Sequence, residues 1–102
     1  MLAIVMQRQV SASKRMPEWE EAAATACAVQ NMHVQSGVIP GLACYWSSWH
    51  SKARDSQSMK KFLGMGIEDK CMGFFVVAAC DENLKDRRTR SPQKYMTAEW
   101  RD

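Results

Sequence analysis

Residues 22–29 read Ala22-Ala-Ala-Thr-Ala-Cys-Ala-Val29, and the fold turns on what that stretch becomes. Nearly every residue in it is small or apolar, and helix propensity is high throughout. Glu18, Glu20 and Glu21 stand just ahead of it, where the positive end of a helix dipole favours negative charge. Pro17 suits the first helical turn, because its missing N–H has no partner there in any case. At the other end Ser36-Gly37 suits a stop, since glycine takes the left-handed conformation that closes many helices. The spacing predicts one long helix over 17–36. A helix this apolar on most sides must be buried on most sides, and its small residues permit close backbone approach. A chain of 102 residues offers little mass to cover it. The cover is therefore expected from a missing half or from a partner subunit.

Outward from the helix, strands alternate with helices. Residues 2–9 start apolar and turn polar at Gln7 and Arg8, which reads as a strand. A strand beginning at the second residue suggests that further polypeptide once preceded it. Residues 10–16 are polar and basic and read as a loop. Past the helix, Pro40-Gly41 makes a turn, and Leu42-Ala-Cys-Tyr-Trp-Ser47 reads as a second strand of aromatic and small residues. Ser47-Ser48-Trp49-His50 is a polar and aromatic loop. A second helix is predicted over 51–63, with Ala53, Met59, Phe62 and Leu63 as its apolar contacts and Gly64 and Gly66 closing it. Residues 71–80 are a continuous apolar run and read as a central strand buried on both faces. From Asp81 an extended charged arm runs to the end. The order strand, helix, strand, helix, strand, arm defines an α+β or α/β layered unit of one domain, without internal repeats.

Composition narrows the class. Apolar residues make up 46% of the chain and charged residues 25%, which fits a globular protein rather than a disordered one. The net charge of +3 is too small to argue nucleic-acid binding by itself, although Lys85, Arg87, Arg88, Arg90 and Lys94 crowd one stretch. No apolar run approaches the roughly 20 residues that span a bilayer, and residues 1–6 are too short for a signal-peptide core. Cys27, Cys44, Cys71 and Cys80 show no close pairing. They read as small, reduced, buried side chains of a reducing compartment, the cytoplasm being the expectation. Zinc held by these thiols with His33 and His50 is the sharper alternative, and the lack of closely spaced ligand pairs argues against it.

With these elements in place the sequence resembles the FMN-dependent nitroreductase family. The residues that carry the likeness are Ala26-Cys-Ala-Val-Gln-Asn-Met32, Gly41-Leu-Ala-Cys-Tyr-Trp46, Phe62-Leu-Gly64, the apolar strand at 73–79, and Arg88-Thr-Arg90-Ser-Pro92. Their order and gaps match the second half of a family subunit, and the likeness covers nearly the whole chain. The resemblance implies a partial α+β fold: a three-stranded sheet, a long buried helix, a second helix and an extended C-terminal arm. It also implies an FMN at the interface of an intertwined homodimer, with helix 17–36 in the dimer core. The segment after the Gly-Leu turn then passes the flavin ring, with Ser47, Ser48 and Trp49 beside it and a backbone N–H of Ser48 or Trp49 toward ring N5. A donor there favours the reduced ring. The family often has glycine or an acidic residue in this loop, where this chain has Ser-Ser-Trp. Arg88 and Arg90 match the basic pair that contacts the FMN phosphate. In an extended arm residues two apart point the same way, so two guanidinium groups face one phosphate. The implied chemistry is ping-pong hydride transfer from NAD(P)H to flavin and then to a small acceptor such as a nitro compound or quinone. The flavin carries that chemistry, so no side chain is named as catalytic. The family's remaining flavin contacts lie in a first half that this chain lacks, so the resemblance implies that this fragment is inactive unless the missing half is supplied.

Simpler readings stand beside these. Arg88 and Arg90 also fit a solvated basic arm, and residues 47–49 a strand end with one half-buried Trp. His50 also reads as a surface residue at a helix start, and His33 as a packed or interface residue. Gln30 and Asn31 need hydrogen-bond partners if buried. Two other functions remain open. One is a non-enzymatic remnant that keeps the helix as a dimerisation surface. The other is a small basic module binding RNA or another polyanion, with Tyr45, Trp46 and Trp49 stacking bases. The last ranks lowest, since no nucleic-acid motif is visible.

Overall fold

The structure, a computed structural model, describes residues 1–81. Its elements in order are β1 (Leu2–Met6), α1 (Glu18–Gly37), β2 (Leu42–Ser47), α2 (Ser51–Arg54), α3 (Gln57–Phe62) and β3 (Lys70–Ala79). The strands form a three-stranded sheet in the order β1-β3-β2, antiparallel at both seams. The unit is therefore α+β. The strand expected to be central is central, although it is the last of the described strands in sequence.

β2 and β3 pair in unbroken register from Leu42 with Ala79 to Ser47 with Phe74. The other seam is broken. Ala3 pairs with Phe74 and Val5 with Cys71, so Ile4 alone faces Met72 and Gly73. This is a β-bulge, and Gly73 at its centre has φ +107°, a conformation that only glycine takes at little cost.

Successive strand residues point to opposite faces. Phe75 points to α1 and forms a small core with Val29 and Cys44, against which Ile4, Met32 and Leu42 pack. The His33 ring meets Phe75 edge to face at 5.9 Å. Burying a side chain such as Phe75 is worth about 1.5–3 kcal/mol. Its neighbour Phe74 points the other way and is buried on the far face of the sheet.

Five expectations need correction. α1 is not buried on most sides: Val29 is its one buried residue, while Ala23, Ala24, Cys27, Ala28, Gln30, Asn31 and Val34 are exposed. A stripe at Ala22, Thr25, Ala26, Val29, Met32 and Ser36 turns inward, at the three-and-four spacing of a one-sided helix, and Glu20 and Glu21 in the first turn are partly covered as well. The helix predicted over 51–63 is two short ones. Ser56 ends the first and caps the second, its hydroxyl accepting the Met59 N–H at 3.1 Å. Finally, the central strand is buried on both faces only over its first half, since Val77, Ala78 and Ala79 are exposed. Cys27 is exposed as well, so not all four cysteines are buried. The helix stop also differs in detail: α1 ends with Val38 in the right-handed region and not on a left-handed glycine.

The start of α1 uses an unusual anchor. Pro17 is the capping residue and has no side-chain acceptor to offer. Glu21 substitutes by reaching back: one carboxylate oxygen accepts the Met16 N–H at 3.1 Å and the other pairs with Arg8 at 2.6 Å. Arg8 also donates to the Met16 carbonyl, and its own N–H donates to Asp69 at 2.9 Å. The polar loop after β1 is thereby tied to the helix start and to the turn before β3.

Candidate functional site

The site begins where β2 leaves the sheet. Ser47 is the last β2 residue, paired with Phe74. At Trp49 the chain turns sharply with φ +59°, the left-handed region that a bulky side chain rarely adopts. Three devices hold this turn. The Ser47 hydroxyl accepts the Trp49 N–H at 3.2 Å. Arg54 reaches back from α2 and donates from Nη1 to the Ser48 carbonyl at 3.0 Å. The Gly73 bulge gives the turn room, since a Cβ at residue 73 would lie 2.1 Å from the Ser47 carbonyl oxygen and 2.9 Å from the Ser48 Cα.

Trp49 then lies back over the face of the sheet away from α1. Its indole meets Phe74 edge to face, with ring centroids 5.8 Å apart and planes at 72°, and meets His50 at 6.2 Å and 69°. The side chain is about half exposed. Tyr45, two residues before Ser47, shares that face and is exposed too. On the α1 face, Trp46 donates its indole N–H to the Met72 carbonyl at the bulge, 3.0 Å away.

Arg54 links the turn to a second feature. It and Asp55 form a two-bond ion pair, with 2.7 and 2.8 Å contacts, that holds the Asp55 carboxyl below its usual range. Both residues line a cavity of about 460 Å³ between the first turns of α1, the bulged end of β3 and the α2–α3 segment. Met6, Met65 and Met72 line it as well, together with Lys60, Lys70 and Asp69. Its charged groups are engaged: Lys70 with Glu18, Lys60 with the Ile67 carbonyl, and Asp69 with the N–H groups of Arg8 and Gly66. Among the described residues no cluster of His, Cys, Asp or Glu is disposed to hold a metal ion. None of their helices is long and apolar enough to cross a membrane.

Of the residues singled out from sequence, Ser47, Ser48 and Trp49 lie together in this turn. Arg88 and Arg90 lie outside the described residues, as does the arm that carries them. The Trp49 N–H is engaged with the Ser47 hydroxyl, so an incoming acceptor competes with that contact. Sequence reasoning missed Arg54, Gly73 and Phe74. Gly73 carried a usable signal, because a lone glycine inside an apolar strand marks a bulge or a close backbone approach. Arg54 carried none. In comparisons with known proteins no family model matches the chain, and no curated protein or solved structure does so either.

Proposed function

We propose that the chain is the C-terminal half of an FMN-dependent oxidoreductase of the nitroreductase type, with a correspondingly partial version of that fold. Completed by the other half, it works as a homodimer built on α1, and hydride passes from NAD(P)H to the flavin and on to a small nitro or quinone acceptor; the fragment alone is inactive. The observation that carries the reading is the turn at Ser47–Trp49. It is a polar, exposed strand end fixed by Ser47, Arg54 and Gly73, at the place where the resemblance puts the flavin ring. The ring side of an FMN fits it, with backbone and hydroxyl groups in reach and an open sheet face beside them. The phosphate falls to Arg88 and Arg90. When bound, the flavin supplies the two-electron chemistry, and the protein orients the ring and tunes it by hydrogen bonds. The exposed face of α1, rich in alanine, supports the homodimer, because small residues let two helices approach closely.

The test mixes the purified chain with FMN, desalts it, and measures self-association by sedimentation. Retained yellow colour with quenched flavin fluorescence, on a dimer, is expected. A colourless dimer favours the non-enzymatic dimerisation module, and a colourless monomer removes both. Arg88→Ala with Arg90→Ala is expected to weaken FMN retention, and unchanged retention removes the phosphate assignment. A polyanion-binding module requires affinity that falls steeply with salt.

A further inference from the structure

The cavity between α1, the bulged end of β3 and the α2–α3 segment plays no part in the flavin reading. Its volume of about 460 Å³ suits a small molecule. Met6, Ala22, Met65 and Met72 form its apolar wall. Methionine side chains are unbranched and adjust to an irregular apolar shape. Among the described residues no aromatic side chain lines the cavity, so a flat ring has nothing to stack on.

The charged wall is more selective. It holds three cations, Arg54, Lys60 and Lys70, and two anions, Asp55 and Asp69. Arg54 and Asp55 close on each other through two hydrogen bonds, and Lys70 is paired with Glu18. That leaves Lys60 and Asp69, whose hydrogen-bond partners are neutral. Lys60 donates from Nζ to the Ile67 carbonyl at 3.2 Å, while Asp69 accepts the N–H groups of Arg8 at 2.9 Å and Gly66 at 2.7 Å. An ammonium has three donors and a carboxylate oxygen two lone pairs, so both groups keep bonding capacity. Both bond to the turn at residues 66–67, yet they form no ion pair with each other. One cation and one anion stand open side by side. A ligand of one sign would meet no matching excess of charge, whereas a ligand carrying one charge of each sign would satisfy both.

We infer that this cavity binds a free aliphatic α-amino acid, with its carboxylate on the Lys60 ammonium, its ammonium on Asp69 and its side chain among Met6, Met65 and Met72. None of these residues belongs to the Ser47–Trp49 turn, so the site stands apart from the oxidoreductase reading.

The full chain, isotope-labelled at its amides, is titrated with L-leucine and followed by NMR. Saturable shifts are expected at Ala22 and at the Gly66 and Arg8 amides that sit on the Asp69 oxygens, with a dissociation constant of about 1 mM or below. Isocaproate lacks the ammonium, isoamylamine lacks the carboxylate and glycine lacks the side chain. Each is expected to bind at least about tenfold more weakly than leucine. Lys60→Met should weaken leucine and isocaproate alike and leave isoamylamine within about twofold. The comparison among ligands uses the unaltered chain, so a misfolded variant does not blunt it. No saturable shift up to about 20 mM leucine, or shifts confined to other amides, overturns the inference. So does isocaproate that binds as tightly as leucine, or leucine affinity indifferent to Lys60→Met. Leucine binding without FMN retention sustains this inference and sinks the flavin reading, and FMN retention without leucine binding does the reverse.

Discussion

Gly73 and Ser47 touch through their backbones: no side chain fits at residue 73, because its first carbon would lie 2.1 Å from the Ser47 carbonyl oxygen. The contact joins the bulge in β3 to the turn that presents Trp49, so two irregularities of the sheet are one feature.

Gly73→Ala is expected to be among the most damaging single substitutions in the described residues. It meets both a φ of +107° and a backbone collision. The expected loss is about 3 kcal/mol or more, read as a lower midpoint in urea unfolding. A variant as stable as the parent would show that β3 can straighten without cost.

The Arg8–Glu21 pair, with side-chain exposures of 13% and 10%, is largely withdrawn from water. Glu21→Ala leaves the guanidinium without its carboxylate and removes the Met16 anchor. A loss of about 2–3 kcal/mol is expected, somewhat below the full cost of breaking a buried pair. The double change Arg8→Met with Glu21→Leu should recover much of it. A double-mutant cycle measures the coupling, and additive effects would show that the two groups act separately.

Acid sensitivity should be slight and salt-dependent. The hydrogen bond from Lys70 holds Glu18 below its ordinary value of 4.5, and that from Arg15 does the same for Glu68. A carboxyl group depressed in the folded state stabilises it above the unfolded value, and that contribution fades as pH falls through the folded one. Both groups are fully exposed, so the effect is small. Urea midpoints are expected to be flat from about pH 7 to about pH 5 and to decline from about pH 4.5 downward. Salt at about 1 M should flatten the decline. A decline that starts near neutrality would point to other groups.

If α1 forms the dimer core, Ala28→Glu places a carboxylate in the middle of it. The isolated fold loses little, since Ala28 is exposed there. Self-association should weaken at least about a hundredfold, because an unpaired buried charge is costly. Sedimentation equilibrium reads this directly, and an unchanged dimer would move the interface away from this face.

Local chemistry made the strands and α1 legible. The 42–47 strand needed only its aromatic and small residues, and the acidic start of α1 marked its first turn. The apolar spacing over 51–63 hides the break between α2 and α3, which lies at Asp55-Ser56-Gln57-Ser58. Short polar side chains there compete with helical hydrogen bonds, and Ser56 does so as a cap. The antiparallel order with β3 in the middle depends on contacts far apart in sequence, which local patterning does not encode. The apolar composition of α1 predicts burial on most sides, but within this unit only one stripe meets the sheet. At the candidate site the polar strand end was readable. The left-handed Trp49 was not, since residue preference argues against it and only the surrounding contacts enforce it.

The placement of β3 has a consequence for synthesis. It is the hub of the sheet and, among the described residues, the last strand in sequence, so neither outer strand has its hydrogen-bonding neighbour until the segment Lys70–Ala79 has been made. Until then β1 and β2 both lack the strand they pair with. Pairing β1 with β3 closes over residues 7–69, and such long-range pairing slows folding and leaves unpaired strand edges open to aggregation.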